Sequence, residues 1–491
     1  MKKTYCLLSI MFVCLAPGGN FALADATSKI VTTPECVIFY AVESGSAPAG
    51  QNFKISNGGS GTLNYNLVTT TPWLTIDKVF GSLSAGKDVI NVSVDVSGLS
   101  QGQSPYVGEI TVTNADDPAQ KKAVKVRLSI ISPESYAKAY AYDQNGNLTR
   151  RVTANGDIIE YEYDALNRPT GIYYPDGNSV TYVYDGNGNR VKTLDKTGET
   201  QYVYDRYNRV TAIYFPNISP VLYSYDLTGN IIKIEYPDHS LVSYVYNSDN
   251  KLVSVTDSTG ITSYAYYSGT GLLHTKTLPN NITTTCTYDA AKRITDVDNR
   301  GPGGALISTY HYGYDANGNI TSSLETTPQG AKTTDYSYDK LNRLKAVVYP
   351  DERGTVTYEY DAAGNRAKMT TPQGVTNYKY DADNRLIRAG KEIFFYDKPG
   401  NLVKKVSSDK TAAYVYDYDN RLIRYQDNTN TVEFEYDGDG RRVSKTVNGK
   451  KTNYVNDILR NPYQVIMEAD ASWGVSKVYR YGLDRLSQEE F

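Results

Sequence analysis

The chain has 491 residues and is nearly neutral, with 51 Lys and Arg against 54 Asp and Glu and a formal charge of −3. Residues 1–24 hold Lys2 and Lys3 and no acid, so the remainder stands at −5, which argues against a nucleic-acid or anionic-membrane partner, since either needs a basic face. Three scattered histidines (His239, His274, His311) are too few for a metal centre or a histidine-based active site. The unusual counts are 46 Tyr and 39 Gly beside 10 Phe and 2 Trp. Tyrosine favours strands and glycine favours tight reversals, so an all-β, repetitive protein is expected.

In chain order, residues 1–24 read as a signal peptide. Lys2 and Lys3 precede an apolar run from Tyr5 to Ala16, and Ala22-Leu23-Ala24 offers small residues for cleavage. The run is too short to cross a bilayer, and no other stretch approaches that length, so no membrane-spanning segment is expected. Secretion, to the medium or the cell surface, follows. Cys6 and Cys14 leave with the signal, and the remaining Cys36 and Cys286 are expected as two buried thiols rather than a disulfide framework.

From Val31 to Ile131 apolar residues alternate with polar ones: Phe53 and Ile55; Leu63, Tyr65 and Leu67; Val92, Val94 and Val96; Ile110 and Val112; Val124, Val126 and Leu128. That two-residue period belongs to strands with one buried face. Asn57-Gly58-Gly59, Gly81, Ser97-Gly98 and 114–118 read as turns between them. About seven strands in 100 residues predict an immunoglobulin-like sandwich over 25–132. The segments FKISNGGSGTLNYNL, PWLTI and GEITVTN resemble the BACON family of immunoglobulin-like modules. The resemblance implies a carbohydrate or mucin partner, and Trp73 is the residue that would stack on a sugar ring; its alternative role is to plug the sandwich core.

Residues 136–445 repeat. Tyr142-Asp143, Tyr163-Asp164, Tyr184-Asp185, Tyr204-Asp205 and Tyr225-Asp226 recur at steps of 21, 21, 20 and 21, and the register continues to Tyr436-Asp437, about fifteen units in all. Within one unit, Tyr161 and Tyr163 sit two apart and share a strand face, and Asp164 at the strand end is placed to accept amides of the following turn. Three residues past the Asp position stands Gly or Asn in thirteen of fifteen units, with Thr270 and Lys292 the exceptions; both residues tolerate positive φ. A second reversal falls half a period later, as at Thr197-Gly198 and Pro372-Gln373-Gly374, so each unit is two strands and two reversals. The turn residue alternates, Gly146, Asn167, Gly188, Asn208, Gly229, Asn250, and again from Gly318 to Gly440. A double unit of about 42 residues with two different turn backbones is predicted.

The motifs YDANGNI, YDALNRP, YDGNGNR, YDKLNRL and YDADNRLI resemble the RHS, or YD-repeat, family over about 300 residues. The resemblance implies hairpins wound into one spiral sheet, an open or partial hollow shell, such as those that enclose a C-terminal polypeptide or serve in cell contact. After Lys445 the period dissolves into short strand pieces at Tyr454-Val455 and 465–467. The run Tyr479-Arg480-Tyr481-Gly482-Leu483 resembles the opening of the RHS core region, so 446–491 is read as a truncated start of that region and the chain as the front of a longer product.

No motif in the chain carries catalytic or metal-binding chemistry through to completion. Asp185-Gly186-Asn187-Gly188-Asn189 begins like a calcium loop, but Lys196 stands where a bidentate acid is required. The repeat acids are accounted for by turn capping, and no nucleophile elbow is present. No catalytic, cofactor-binding or metal-ligating residue is identified, and no cofactor is expected. The reading is a secreted, non-enzymatic scaffold, the shell or presentation part of a polymorphic-toxin or cell-contact system, whose partner is a C-terminal toxin polypeptide or a downstream RHS core. The rival is an extracellular glycan-binding or adhesion protein working through the BACON-like domain and Trp73. A carbohydrate-active enzyme built on the repeat acids is a third reading.

Overall fold

The computed structural model describes residues 28–34, 36–43, 46–100, 103–131 and 139–491. The signal segment 1–24 lies outside them. The chain divides into two compact units, one holding the strands up to residue 131 and the other the array from Ala139.

Among its described residues the first unit is a two-sheet sandwich of nine strands, where about seven were expected: β1 (Ile30–Thr33), β2 (Cys36–Val42), β3 (Gln51–Asn57), β4 (Leu63–Thr69), β5 (Leu74–Ile76), β6 (Phe80–Leu83), β7 (Lys87–Val94), β8 (Tyr106–Asn114) and β9 (Lys121–Ile131). One sheet has the order β1-β3-β7-β5 and the other β2-β9-β8-β4-β6. All pairs are antiparallel except β2 with β9. The alternating apolar residues meet between the sheets, with Phe53, Ile55, Ile110, Val124 and Val126 fully buried and Val96 at the margin. Gly81, expected in a turn, lies inside β6 instead. A Cβ there would run into the ring of Tyr65, whose hydroxyl donates to Asp88 Oδ2 at 2.5 Å, so the glycine makes room for a tyrosine rather than for a reversal.

The second unit is a single sheet of thirty-four strands in strictly sequential order, Tyr140–Tyr142 to Arg485–Glu490. Every pair is antiparallel, as short reversals between consecutive strands require. At the Tyr-Asp turns the register slips by one residue: Val183 pairs Lys192 while Tyr184 pairs Arg190, and the same bulge recurs at Tyr163, Tyr204, Tyr225 and onward. Bulges increase local twist and bend a strand, and repeating one in each hairpin curls the whole ribbon. The sheet does not end where the period fades. Lys450–Asp457, Gln464–Ala469, Val475–Tyr481 and Arg485–Glu490 continue it as full-length strands, longer than the pieces expected there. Of the two thiols, Cys286 is buried but Cys36 is only half-buried, because it opens β2 rather than lying in its centre.

Candidate functional site

The repeated turn is a closed ring of hydrogen bonds. In the Asp164 turn, Asp164 N donates to Arg168 O at 2.9 Å and Asn167 N to Asp164 O at 3.0 Å. The carboxylate Oδ1 accepts Leu166 N at 2.9 Å and Arg168 N at 3.0 Å. The Asp185 turn closes in the same way around Gly188. The two turns differ in φ, 60° at Asn208 against 89° at Gly188, but share one hydrogen-bond ring, so the predicted difference is one of degree. Lys292 takes the left-handed position at φ 64°. Beside Thr270 the turn is one residue longer, and Gly271 takes that position at φ 66° instead.

A matching alternation runs one residue further on. Gly turns are followed by Asn and Asn turns by Arg, with Lys251 and Arg441 as departures. The Asn after a Gly turn donates its amide to the left-handed Asn of the next unit: Asn189 Nδ2 to Asn208 Oδ1 at 2.8 Å, Asn365 to Asn384 at 3.0 Å and Asn401 to Asn420 at 2.8 Å. The Arg after an Asn turn reaches the following unit. Arg209 Nε binds Asp205 Oδ2 at 2.7 Å, its Nη1 donates to Asp226 O at 2.9 Å, and its guanidinium lies 4.6 Å over the Tyr225 ring. The Arg does not itself demand Gly in the receiving turn: a Cβ on Gly188 would stand at an ordinary 3.6 Å from Arg168 Nη1, and one on Gly229 would meet nothing within 4 Å; both glycines hold positive φ, at 89° and 95°. The YD tyrosine adds a third link, its hydroxyl donating to a carbonyl of the preceding unit, as Tyr225 does to Val210 O at 2.6 Å.

The tyrosine face closes on itself. Tyr202, Tyr223, Tyr236, Tyr244 and Tyr264 are buried with Ile213, Val221, Val242 and Val255 against Val455, Ile466, Met467 and Val478 of the last strands. Polar pairs frame this seam. Arg190 holds Asp439 bidentately at 2.7 and 2.6 Å, and Arg151 Nη2 donates to Asp419 Oδ1 at 2.5 Å. Tyr174 donates to Asp419 Oδ2 at 2.7 Å while its ring stacks on Tyr418. Tyr223 donates to the buried Asp457 at 2.9 Å, and Arg460 Nε binds the same carboxylate at 3.1 Å. Burial, then the adjacent Asp457 carboxylate, pushes the Tyr223 hydroxyl well above the ordinary tyrosine range. Asp437 is likewise pushed up by burial despite Arg441 beside it.

Trp73, the one residue singled out from the sequence for ligand contact, is half-buried at the edge of the sandwich core, its ring edge-on to Tyr106 at 6.3 Å. The seam residues Asp439, Asp457 and Arg460 were missed. The first belongs to an ordinary-looking Asp turn and the others to the segment where the period fades, and only the Gly-Asn and Asn-Arg pairing was there to be read. Among the described residues no group of three or more His, Cys, Asp or Glu side chains is placed to hold a metal ion, and no helix is long and apolar enough to cross a membrane.

These features define a YD-repeat scaffold: a continuous hairpin sheet clasped turn to turn and closed over its own tyrosine face, with a sandwich module ahead of it. The Teneurin YD-shell family model matches residues 84–281 and 280–467, and the chain belongs to that family. The Viral BACON domain model matches residues 32–117; of the stretch matched by both, Lys87–Val94 and Tyr106–Asn114 are β7 and β8 of the sandwich. The tRNA nuclease WapA of Bacillus subtilis strain 168 is 28% identical over 255 residues, 49% of this chain and 10% of that protein. Double-stranded DNA deaminase toxin A of Burkholderia cenocepacia strain H111 is 26% identical over 268 residues, 51% of this chain and 17% of that one. The chain therefore spans between a tenth and a fifth of these relatives. The solved complex TcdB2-TccC3-TEV is similar over 78% of this chain and 27% of its own, at 14% identity and a TM-score of 0.48.

Proposed function

We propose that the protein is a secreted, non-enzymatic scaffold, the shell or presentation part of a polymorphic-toxin or cell-contact system, acting outside the cell or at its surface after export on residues 1–24. In this reading 25–132 is a BACON-like module, 136–445 the wall and 446–491 the start of a core region that receives a C-terminal toxin polypeptide or a downstream RHS core. The observation that carries it is the closing seam, where residues 450–481 cover the tyrosine face of 202–264 and hold the curled sheet in one form. The relatives whose names mark them as nucleases or toxins match this chain over about half its length, which supports a wall shared among systems with different activities. The test fuses a protease-sensitive reporter polypeptide after Phe491 and follows its digestion. A reporter that outlasts its free form while the array stays intact supports the reading; digestion at the free rate overturns it.

A second reading, favoured by the half-exposed Trp73 beside Tyr106, is glycan binding or adhesion through the sandwich. It predicts that Trp73→Ala abolishes binding to mucin or an immobilised polysaccharide without changing the unfolding midpoint.

A further inference from the structure

The array gathers a basic face that the overall charge conceals. Strands Gly374–Tyr380, Leu386–Ala389, Glu392–Tyr396, Leu402–Val406, Thr411–Tyr416 and Leu422–Gln426 are consecutive in the sheet, and their side chains alternate between the tyrosine face and its reverse. On the reverse face the pairing register sets Lys379 opposite Arg388, Lys404 opposite Phe395 and Arg424 opposite Val415. All four cations are exposed. From Lys379 to Arg424 the set crosses five strand spacings, about 24 Å at about 4.8 Å each. Among the described residues, no acid of these six strands lies on that face; Glu433, opposite Arg424 on the next strand, is the first.

These four lack the partners that neighbouring cations have. Lys405, next to Lys404 but on the tyrosine face, is held by Glu392 at 2.6 Å, and Lys368, one strand before the set, by Glu359 at 2.8 Å. Arg388 Nε donates instead to Gly390 O at 2.9 Å and Arg424 Nη2 to Gln426 Oε1 at 3.2 Å, both neutral acceptors. Lys404 Nζ lies 5.8 Å from the centre of the Phe395 ring. Among the described residues none of the four stands in an ion pair. Set between them on the same face are Ile393, Phe395 and Val415, 40–48% exposed. Exposed apolar side chains clustered among unmatched cations mark a surface that meets a partner.

Two properties select the partner. Each of these strands is paired on both sides, so no strand edge is open to an added peptide strand. The cations sit on long aliphatic stems, and a fluid layer of anionic headgroups can bring a charge to each of them, while the three apolar side chains reach the boundary between headgroups and acyl chains. A soluble polyanion would meet the cations and leave those side chains in water. We propose that this face docks on an anionic lipid surface, with Lys379, Arg388, Lys404 and Arg424 on the headgroups and Phe395 as the central apolar contact. The formal charge of −3 argues against such a partner only while the cations are taken as evenly spread. Screening over about 8–10 Å confines the attraction to charges near the surface, and there the fold supplies cations alone. The docking does not depend on whether the array encloses a polypeptide.

The test uses the chain from residue 25 on, which keeps every described residue and leaves out the apolar run 5–16, itself able to enter a bilayer. Co-sedimentation is measured with vesicles of phosphatidylglycerol mixed with phosphatidylcholine, and with vesicles of phosphatidylcholine alone. Binding is expected to the first, weakening as salt rises, and not to the second. Arg388→Glu with Lys404→Glu should weaken it about thirtyfold or more while the unfolding midpoint holds. If the midpoint falls, Arg388→Gln with Lys404→Gln decides the matter. Phe395→Ser should weaken binding about tenfold and leave its salt dependence as it is. Lys54→Glu with Lys87→Glu, on two exposed lysines of the sandwich, makes the same change in net charge and should leave binding as it is. No binding to the mixed vesicles, equal binding to phosphatidylcholine alone, binding unchanged in the Arg388 and Lys404 variants, or an equal loss in the sandwich variant overturns the proposal. Binding to soluble polyglutamate but not to the mixed vesicles also overturns it, and assigns the face to an acidic protein.

Discussion

Two glycines at the same place in their turns give the sharpest check on how the sheet closes. Gly186 and Gly438 each follow the turn aspartate directly, and neither has positive φ. A Cβ on Gly186 meets nothing within 4 Å, whereas one on Gly438 lies 2.5 Å from Val180 Cγ1 and 3.1 Å from Asp195 Oδ2. Gly438 N also donates to that Asp195 oxygen. Alanine at a free glycine position stabilises by about 0.4–1 kcal/mol by restricting the unfolded chain, so Gly186→Ala should raise stability by that amount. Gly438→Ala adds a methyl group where none fits, which costs about 1–3 kcal/mol. Backbone meets a β-branched side chain there, so neither side yields cheaply. The two variants should differ by about 1.5–4 kcal/mol, the sum of the two effects. Urea denaturation measures the totals, and hydrogen exchange locates them: protection should fall in 177–204 and 431–457 for Gly438→Ala and stay unchanged for Gly186→Ala. Equal behaviour of the two variants would refute the contact between early and late strands on which the seam rests.

Other expectations follow from the same geometry. Tyr223→Phe removes one hydrogen bond to a charged acceptor that keeps Arg460 at 3.1 Å and should cost about 1.5–3 kcal/mol; Asp457→Ala strands Arg460 as well and should cost about 3–5 kcal/mol, both read from denaturation midpoints. Asn208→Gly keeps the left-handed backbone and loses only the Asn189 bond, whereas Asn208→Ala adds strain of about 1–2 kcal/mol, so the alanine variant should melt lower; equal melting would show that φ 60° is not enforced there. Burial raises Tyr225 and Tyr264 from 10.0 to about 12. Raised values mean the folded state holds these protons more tightly, so their stabilisation is complete below pH 10 and lost between about 10 and 12, as tyrosinate absorbance during alkaline unfolding would report. Asp226 is lowered from 3.8 to about 2, chiefly by the Asn230 amide, so its contribution is present above pH 3.8 and lost on acidification toward 2. Thermal melts across pH should show a plateau between these limits, and a maximum confined to the acid side would contradict it.

Much of this protein was legible in order along the chain. The two-residue period placed Phe53, Ile55 and Val124 in a sandwich core, and the spacing of Tyr-Asp pairs placed the hairpins as far as Tyr436-Asp437, because strand faces and tight turns are local matters set within a few residues. The Gly and Asn alternation was visible as well, but the bond that links alternate turns was not. Asn189 and Asn208 look like separate turn residues until the pairing of strands brings them to 2.8 Å. Gly81 misled for a similar reason, since its neighbour Tyr65 comes from another strand.

What the amino-acid sequence determined alone was the unit: a hairpin with a bulge, an Asp ring and a tyrosine face, specified by residues no more than about twenty apart. What only the tertiary structure decided was where the ribbon meets itself. Each bulge adds a small bend, and the accumulated curvature of the whole ribbon selects which late residues reach which early ones. No local pattern encodes that sum. It brings Asp439 to Arg190, Asp457 to Tyr223 and Gly438 to Val180 across more than two hundred residues, and those contacts turn a repeating strip into a closed scaffold.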